Sequence, residues 1–231
     1  MIEVVVFDAA GTLIRVREPI GETYARLARA HGVAIPAWRL EDAFRRVLAG
    51  APPMVFPGLA PAQAAERERA WWRERVRAVF RAADQMQPFA DFEAFFAALF
   101  DHYADPQAWQ AAPGAHETLA ALRAAGRRVA VASNFDQRLP RLLAGLGLER
   151  LLEAILLPAE LGAAKPDPAF FAAAAARLEV PPERAVYVGD DPAQDLAPAR
   201  RAGWRAVDAG ALATLTRLPD HLRALEESPA R

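Results

Sequence analysis

The 231-residue chain contains no cysteine. That excludes disulfides, thiolate zinc sites and a cysteine nucleophile together. Lysine and asparagine are almost as scarce: of 28 basic residues one is a lysine, Lys165, and Asn134 is the single asparagine. Few thermolabile residues and abundant Ala, Arg and Pro fit a thermophilic source. The scarcity also directs attention to Lys165, because a compact ammonium and a planar guanidinium are not interchangeable. No apolar run is long enough to read as a membrane span; the alanine-rich stretches are broken by Arg or Pro. A formal net charge of −1 gives no electrostatic footprint for nucleic acid or a membrane surface. The first residues run into a β-like segment without a basic leader, so the expected location is cytoplasmic. A hydrophobic content of 53% is enough for a sizeable core, with room for one large domain or a core plus an insert.

Five short β-like runs are legible: Val4–Phe7, Arg128–Ala132, Ala154–Leu157, Ala185–Val188 and Arg205–Val207. Helical patterns separate the later ones, at Thr118–Ala125, Arg138–Leu146, Pro168–Leu178 and Ala193–Ala202, the last stopped by Gly203. This alternation predicts an α/β fold: a Rossmann-like parallel five-stranded sheet with helices on both faces. More than a hundred residues separate the first two runs. They read as helix at Glu22–His31, Leu40–Leu48, Ala62–Arg81 and Phe92–Phe100. The expected division is therefore a core of residues 1–16 and 111–231 and an inserted helical cap of 17–110, with Trp71-Trp72, Phe92, Phe95 and Phe96 as cap core.

In parallel sheets, ligands bind beyond the carboxyl ends of the strands. The first run ends Phe7-Asp8-Ala9-Ala10-Gly11-Thr12. A carboxylate at a strand tip before a glycine-containing turn exposes an oxygen nucleophile beside backbone amides that can cradle an anion. The same aspartate would also serve as an ordinary turn cap. The second run ends in Ser133-Asn134, where a hydroxyl can donate to a phosphoryl oxygen, although serine is common in loops. Lys165-Pro166-Asp167-Pro168 follows the third run, and its ammonium can neutralise a buried carboxylate and a phosphate together. The fourth ends Gly189-Asp190-Asp191-Pro192-Ala193-Gln194-Asp195, whose three carboxylates repel one another unless a cation compensates. Oxygen donors without His or Cys suit Mg²⁺; an acidic helix N-terminus is the alternative, above all for Asp191.

In this order the four motifs resemble the haloacid dehalogenase (HAD) superfamily over the whole chain. Pro19-Ile20-Gly21-Glu22-Thr23-Tyr24-Ala25, Ala30-His31-Gly32, Phe56-Pro57-Gly58-Leu59, Trp71-Trp72, Ser133-Asn134-Phe135-Asp136 with Arg138-Leu139, and Gly145-Leu146-Gly147-Leu148 resemble its HAD-like hydrolase domain-containing protein 3 (REG-2-like) branch. The resemblance implies a hydrolase with Asp8 as nucleophile. Mg²⁺ would be held by Asp8, the Ala10 carbonyl and Asp190. Gly11, Thr12, Ser133, Asn134 and Lys165 would bind phosphate, with Asp191 and Asp195 supporting. The implied substrate is a small phosphorylated molecule chosen by the cap, and the assembly a monomer or homodimer.

One position departs from the family pattern. Its phosphatases carry an aspartate as general acid two residues after the nucleophile, and here that residue is Ala10. General acid–base groups contribute ~10²–10⁴ in rate, so weak activity on generic esters is expected. Phosphonatases have alanine there but need a cap lysine, which this chain lacks. Haloacid dehalogenases lack the acid too, yet are metal-free, unlike a site with Asp190, Asp191 and Asp195. A vestigial, phosphate-binding domain is the remaining alternative. Tyr24, His31 and His102 are the candidate replacement acids in the expected cap; His31 reads as a helix-end histidine, and neither His102 nor Tyr103 has motif support.

Overall fold

The computed structural model describes residues 1–83 and 89–227; residues 84–88 of the expected cap and 228–231 lie outside the described residues. The strands are β1 (Val4–Phe7), β2 (Ile14–Val16), β3 (Trp109–Ala111), β4 (Arg128–Ala132), β5 (Ala154–Leu156), β6 (Ala185–Gly189) and β7 (Arg205–Asp208). The helices are α1 (Ile20–Ala30), α2 (Ala37–Ala49), α3 (Pro61–Ala83), α4 (Phe92–Ala104), α5 (Ala115–Ala124), α6 (Leu139–Gly145), α7 (Pro158–Leu161), α8 (Pro168–Arg177), α9 (Ala197–Arg201) and α10 (Leu218–Glu227).

Five strands form a parallel sheet in the order β5-β4-β1-β6-β7. Every residue of β1 is buried, as expected of a central parallel strand covered on both faces. Val4 and Val6 join Ala130, Ala132, Ala185 and Tyr187 beneath Phe170, Phe171 and Ala174 of α8 and Ala199 of α9. The alternate residues Val5, Phe7, Val129 and Val131 are buried as well, and α5 packs on β4. The strand order reverses at β1, with β4 on one side and β6 on the other, so the carboxyl ends of these three strands meet at the switch point.

The residues divide into two compact units, one of Met1–Arg15, Val55–Leu59 and Ala111–Arg231, the other of Val16–Met54 and Ala60–Gln110. The second is all-helical apart from strand ends and a short 3₁₀ turn. In it α1 packs on α2 and α4, and α3 on α2 and α4. Its core is aromatic: Tyr24 stacks on Phe80, Phe80 meets Phe89 and Phe95 edge-on, and His31 caps α1 with its ring against Phe95.

Three features differ from the sequence expectations. β2 and β3 pair in a separate two-stranded ribbon, three residues each and too short to leave a periodic signal. The helix α10 lies beyond the last expected element; Glu226 on it accepts from the Ile2 backbone N–H and from Arg127. The single helix expected at Ala193–Ala202 is a π-turn over Pro192–Leu196 followed by α9. Asp191 caps that turn by accepting from Ala193 and Gln194 N–H, and the Leu196 N–H reaches back to the Asp191 carbonyl.

Candidate active site

The site lies within the sheet-containing unit. β1 delivers Asp8 one residue past Phe7, and the Asp8 N–H stays in register by donating to Val188 of β6. The next turn folds back through Leu13 and Ile14 N–H bonds to the Ala9 carbonyl. Asp8 is 6% exposed, as is Lys165, whose ammonium is the centre of the arrangement. Its Nζ donates to Asp8 Oδ1 at 2.7 Å, to Asp195 Oδ1 at 2.5 Å and to the Tyr187 hydroxyl at 2.9 Å. An ammonium has three protons and no acceptor, so this set is complete. Tyr187 in turn donates to the Ala132 carbonyl at 2.6 Å, tying the ammonium to the end of β4.

The charges respond to this enclosure. Burial opposes the Lys165 charge, but Asp8, Tyr187 and Asp195 outweigh it and hold the ammonium protonated well above its ordinary range. Burial raises the Tyr187 phenol, which stays neutral, and raises the Asp195 carboxyl against the opposing pull of Lys165. Asp190 is exposed at the mouth of the site, yet partial desolvation raises it too.

Asn134 clamps the lysine backbone: its Nδ2 donates to the Lys165 carbonyl and its Oδ1 accepts from the Lys165 N–H, both at 2.9 Å. The side chain expected to meet phosphate is therefore occupied in holding the β4 loop against the lysine loop. The Lys165–Pro166 peptide is cis. The glycine turn also differs from expectation. The Gly11 N–H donates to Ile14 and the Thr12 N–H to Ala9, so these amides are engaged within the turn. The Thr12 hydroxyl donates to Asp190 Oδ1 at 3.0 Å and orients that carboxylate. Gly11 is required here: its φ is +98°, and a Cβ would lie 2.5 Å from Asp190 Oδ2. Ser133 is buried at the end of β4, beside β1.

Asp8, Asp190 and Asp195 each place a carboxylate oxygen within 4.8 Å of the others, a set that could hold a metal ion. Hard oxygen donors without nitrogen or sulfur suit a divalent cation such as Mg²⁺. Within the set, both oxygens of Asp195 are already engaged: Oδ1 accepts from Lys165, and Oδ2 from the Asp191 N–H at 3.1 Å. Lys165 and Thr12 each take one oxygen of Asp8 and Asp190, leaving the second oxygen of these two as the better ligands. Asp191 serves as the cap of the π-turn. Ala10 is exposed, beside the nucleophile candidate, and carries no protonable group.

Of the residues expected as replacement acids, Tyr24 is buried in the aromatic core of the helical unit, between Phe44 and Phe80. Burial raises the Tyr103 phenol to about 12, whereas it lowers His102 towards the neutral imidazole. The sequence reading missed Tyr187. Its signal was a hydroxyl in the middle of an apolar central strand, where a buried phenol requires a partner. Asp136, part of the motif that carried the resemblance, is buried, accepts from the Arg138 N–H and pairs with the Arg138 guanidinium at 2.6 Å just after Ser133.

A parallel α/β sheet with its switch point at β1, an aspartate just past the end of that strand and a lysine on its carboxylate are features of a HAD-type hydrolase. The chain belongs to the haloacid dehalogenase-like hydrolase family, whose model matches residues 2–203. It is 38% identical to the haloacid dehalogenase-like hydrolase domain-containing protein 3 of Mus musculus over 189 residues, 80% of this chain and 72% of that protein. Over 96 residues it is 41% identical to a phosphoserine phosphatase of Thermus thermophilus, covering 41% of this chain and 39% of the phosphatase. Among solved structures, a dehalogenase superposes with a TM-score of 0.65 at 26% identity, covering 90% of this chain and 84% of the other. No helix among the described residues is long and apolar enough to cross a membrane.

Proposed function

We propose that the chain is a Mg²⁺-dependent phosphohydrolase acting on a small phosphorylated metabolite through a phosphoaspartyl group on Asp8. The observation that carries this reading is the buried ammonium of Lys165, bonded to both Asp8 and Asp195. An anionic carboxylate can approach an anionic phosphate only where positive charge cancels their repulsion, and phosphoryl transfer is then largely electrostatic positioning. Asp8 attacks phosphorus and the bond to the leaving oxygen breaks. Ser133 donates its hydroxyl to a phosphoryl oxygen, while Asp195, Tyr187 and Asn134 hold Lys165 in place. Water then cleaves the acyl phosphate, releasing phosphate and restoring Asp8. Mg²⁺, held by Asp8, the Ala10 carbonyl and Asp190, supplies further charge neutralisation when bound. The helical unit is the proposed substrate-selecting cap.

The test is initial rates on a panel of phosphate compounds with and without Mg²⁺, for the wild type and Asp8→Asn. Slow, Mg²⁺-dependent turnover that disappears in Asp8→Asn is expected. Inertness on every compound refutes the reading. Ala10 favours a second reading, a domain that binds phosphate without turnover; tight phosphate binding by an inert protein would establish it. Metal-independent halide release from 2-haloacids would instead identify a dehalogenase.

A further inference from the structure

Resting on that reading, we infer the class of substrate: phosphate compounds whose leaving oxygen departs as a stable anion without a proton. These are acyl phosphates, phosphoanhydrides and phosphates of acidic hydroxyls, as opposed to simple alkyl phosphomonoesters.

The argument is an account of protons around Asp8. When the P–O bond breaks, its electron pair goes to the leaving oxygen. An alkoxide needs a proton at that moment, and a positioned acid contributes ~10²–10⁴ in rate. In the unit that holds Asp8, the polar side chains bonded around the carboxylate have their hydrogens committed to one another or to a backbone carbonyl, with the Ser133 hydroxyl outside that set. The three Lys165 protons go to Asp8, Asp195 and Tyr187. The Tyr187 hydroxyl donates to the Ala132 carbonyl and the Thr12 hydroxyl to Asp190. Asp195 accepts on both oxygens, from Lys165 and from the Asp191 N–H, and is held there as their acceptor. Asp190 accepts from Thr12 and faces the proposed cation. The Ser133 hydroxyl is about as weak an acid as the alcohol it would protonate, so it supplies no driving force. The exposed position two residues past the nucleophile, where the phosphatases that the sequence resembles carry their acid, has only the methyl of Ala10.

A carboxylate, phosphate or acidic phenolate leaves without such help. The balance is then simple: Asp8 gains the phosphoryl group and the leaving group departs as an anion. Water adds to the phosphoaspartate, and the water proton passes to phosphate or solvent.

The experiment is kcat/KM for the full-length chain with saturating Mg²⁺ on acetyl phosphate, aryl phosphates of graded phenol acidity, and glycerol phosphate. This ratio reports steps up to departure of the leaving group, whereas kcat includes dephosphorylation, which is common to all substrates. The expected wild-type result is a steep fall with leaving-group basicity, acetyl phosphate exceeding glycerol phosphate by at least ~10²-fold. Ala10→Asp is expected to raise glycerol phosphate by ~10²–10⁴-fold while moving acetyl phosphate less than about tenfold. A flat series in the wild type overturns the inference, and so does an equal gain on every substrate in Ala10→Asp. The wild-type series decides alone if the variant does not fold. Asp8→Asn separates the two levels: a flat series that is lost in Asp8→Asn overturns the leaving-group inference only. Turnover of the other esters with none on acetyl phosphate likewise overturns the leaving-group inference only; turnover that survives Asp8→Asn, or none on any substrate, overturns the phosphohydrolase reading and the inference with it.

Discussion

Replacing Lys165 with methionine keeps an unbranched side chain, one atom shorter, and removes its charge. The structure places that ammonium among three acceptors at 2.5–2.9 Å, with Lys165, Asp8, Asp195 and Tyr187 all buried. The variant leaves two buried carboxylates near each other without a cation. Removing one partner of a buried ion pair costs about 3–5 kcal/mol, because the remaining charge is neither paired nor hydrated. For a chain of this size each kcal/mol corresponds to about 2–4 °C in Tm, so a fall of about 6–20 °C is expected. The sign with pH follows from the raised Lys165 value. Its stabilisation is fully present below the ordinary 10.5 and is lost only as alkaline pH passes through the higher folded value, so the full difference is present at neutral pH. Urea unfolding at neutral pH without divalent cation, followed by fluorescence of the five tryptophans, measures it. Lys165→Arg, which keeps the charge but not the three-way geometry, should recover part of the loss. A loss below about 1 kcal/mol in Lys165→Met, the range of exposed ion pairs, would refute the reasoning.

Tyr187→Phe leaves the Ala132 carbonyl and one Lys165 proton without a partner, at a cost of about 1–3 kcal/mol. Its kcat should fall with KM little changed; unchanged kcat would show that the phenol positions nothing. Gly11→Ala forces a methyl onto Asp190 at a positive φ, with strain of about 1–3 kcal/mol. Mg²⁺ at a hundred times its Kd should stabilise the wild type by about 2.7 kcal/mol in thermal unfolding and this variant far less; equal stabilisation of both would exclude Asp190 as a ligand. Glu226 is lowered from 4.5 to about 2, first by its bond to Arg127. It therefore contributes stability above pH 4.5 that is lost as pH falls towards 2. With a fifth of the side chain exposed, Glu226→Gln should cost about 1–2 kcal/mol at pH 7 and nothing near pH 2. A cost independent of pH would remove the charge from the explanation.

Much of this was legible before any coordinates. Hydrophobic runs and their turn residues marked all five strands of the main sheet, since a parallel strand buried on both faces must be apolar throughout. The order of Asp8, Ser133, Lys165 and Asp190 after those strands pointed to a candidate site, because connections in such sheets carry each strand end to the same edge. The solitary lysine singled itself out through its rarity. Ala10 stood out as the departure from the pattern that the sequence resembles.

What the chain alone left open depends on contacts between residues far apart in sequence. Asn134 and Thr12 looked like phosphate ligands. Only the fold shows Asn134 clasping the Lys165 backbone 31 residues away, and Thr12 turned onto Asp190 178 residues away. Tyr187 read as a strand aromatic, and its role appeared when β4 brought the Ala132 carbonyl, and the lysine loop the ammonium, to its hydroxyl. The π-turn after Asp191 has no periodicity to recognise, yet it places both oxygens of Asp195 on donors. Apolar pattern and the residue type at a strand tip are local properties, set by which side chains water excludes. Which donor meets which acceptor is decided by packing, where a buried polar group must find its partner wherever the chain brings one.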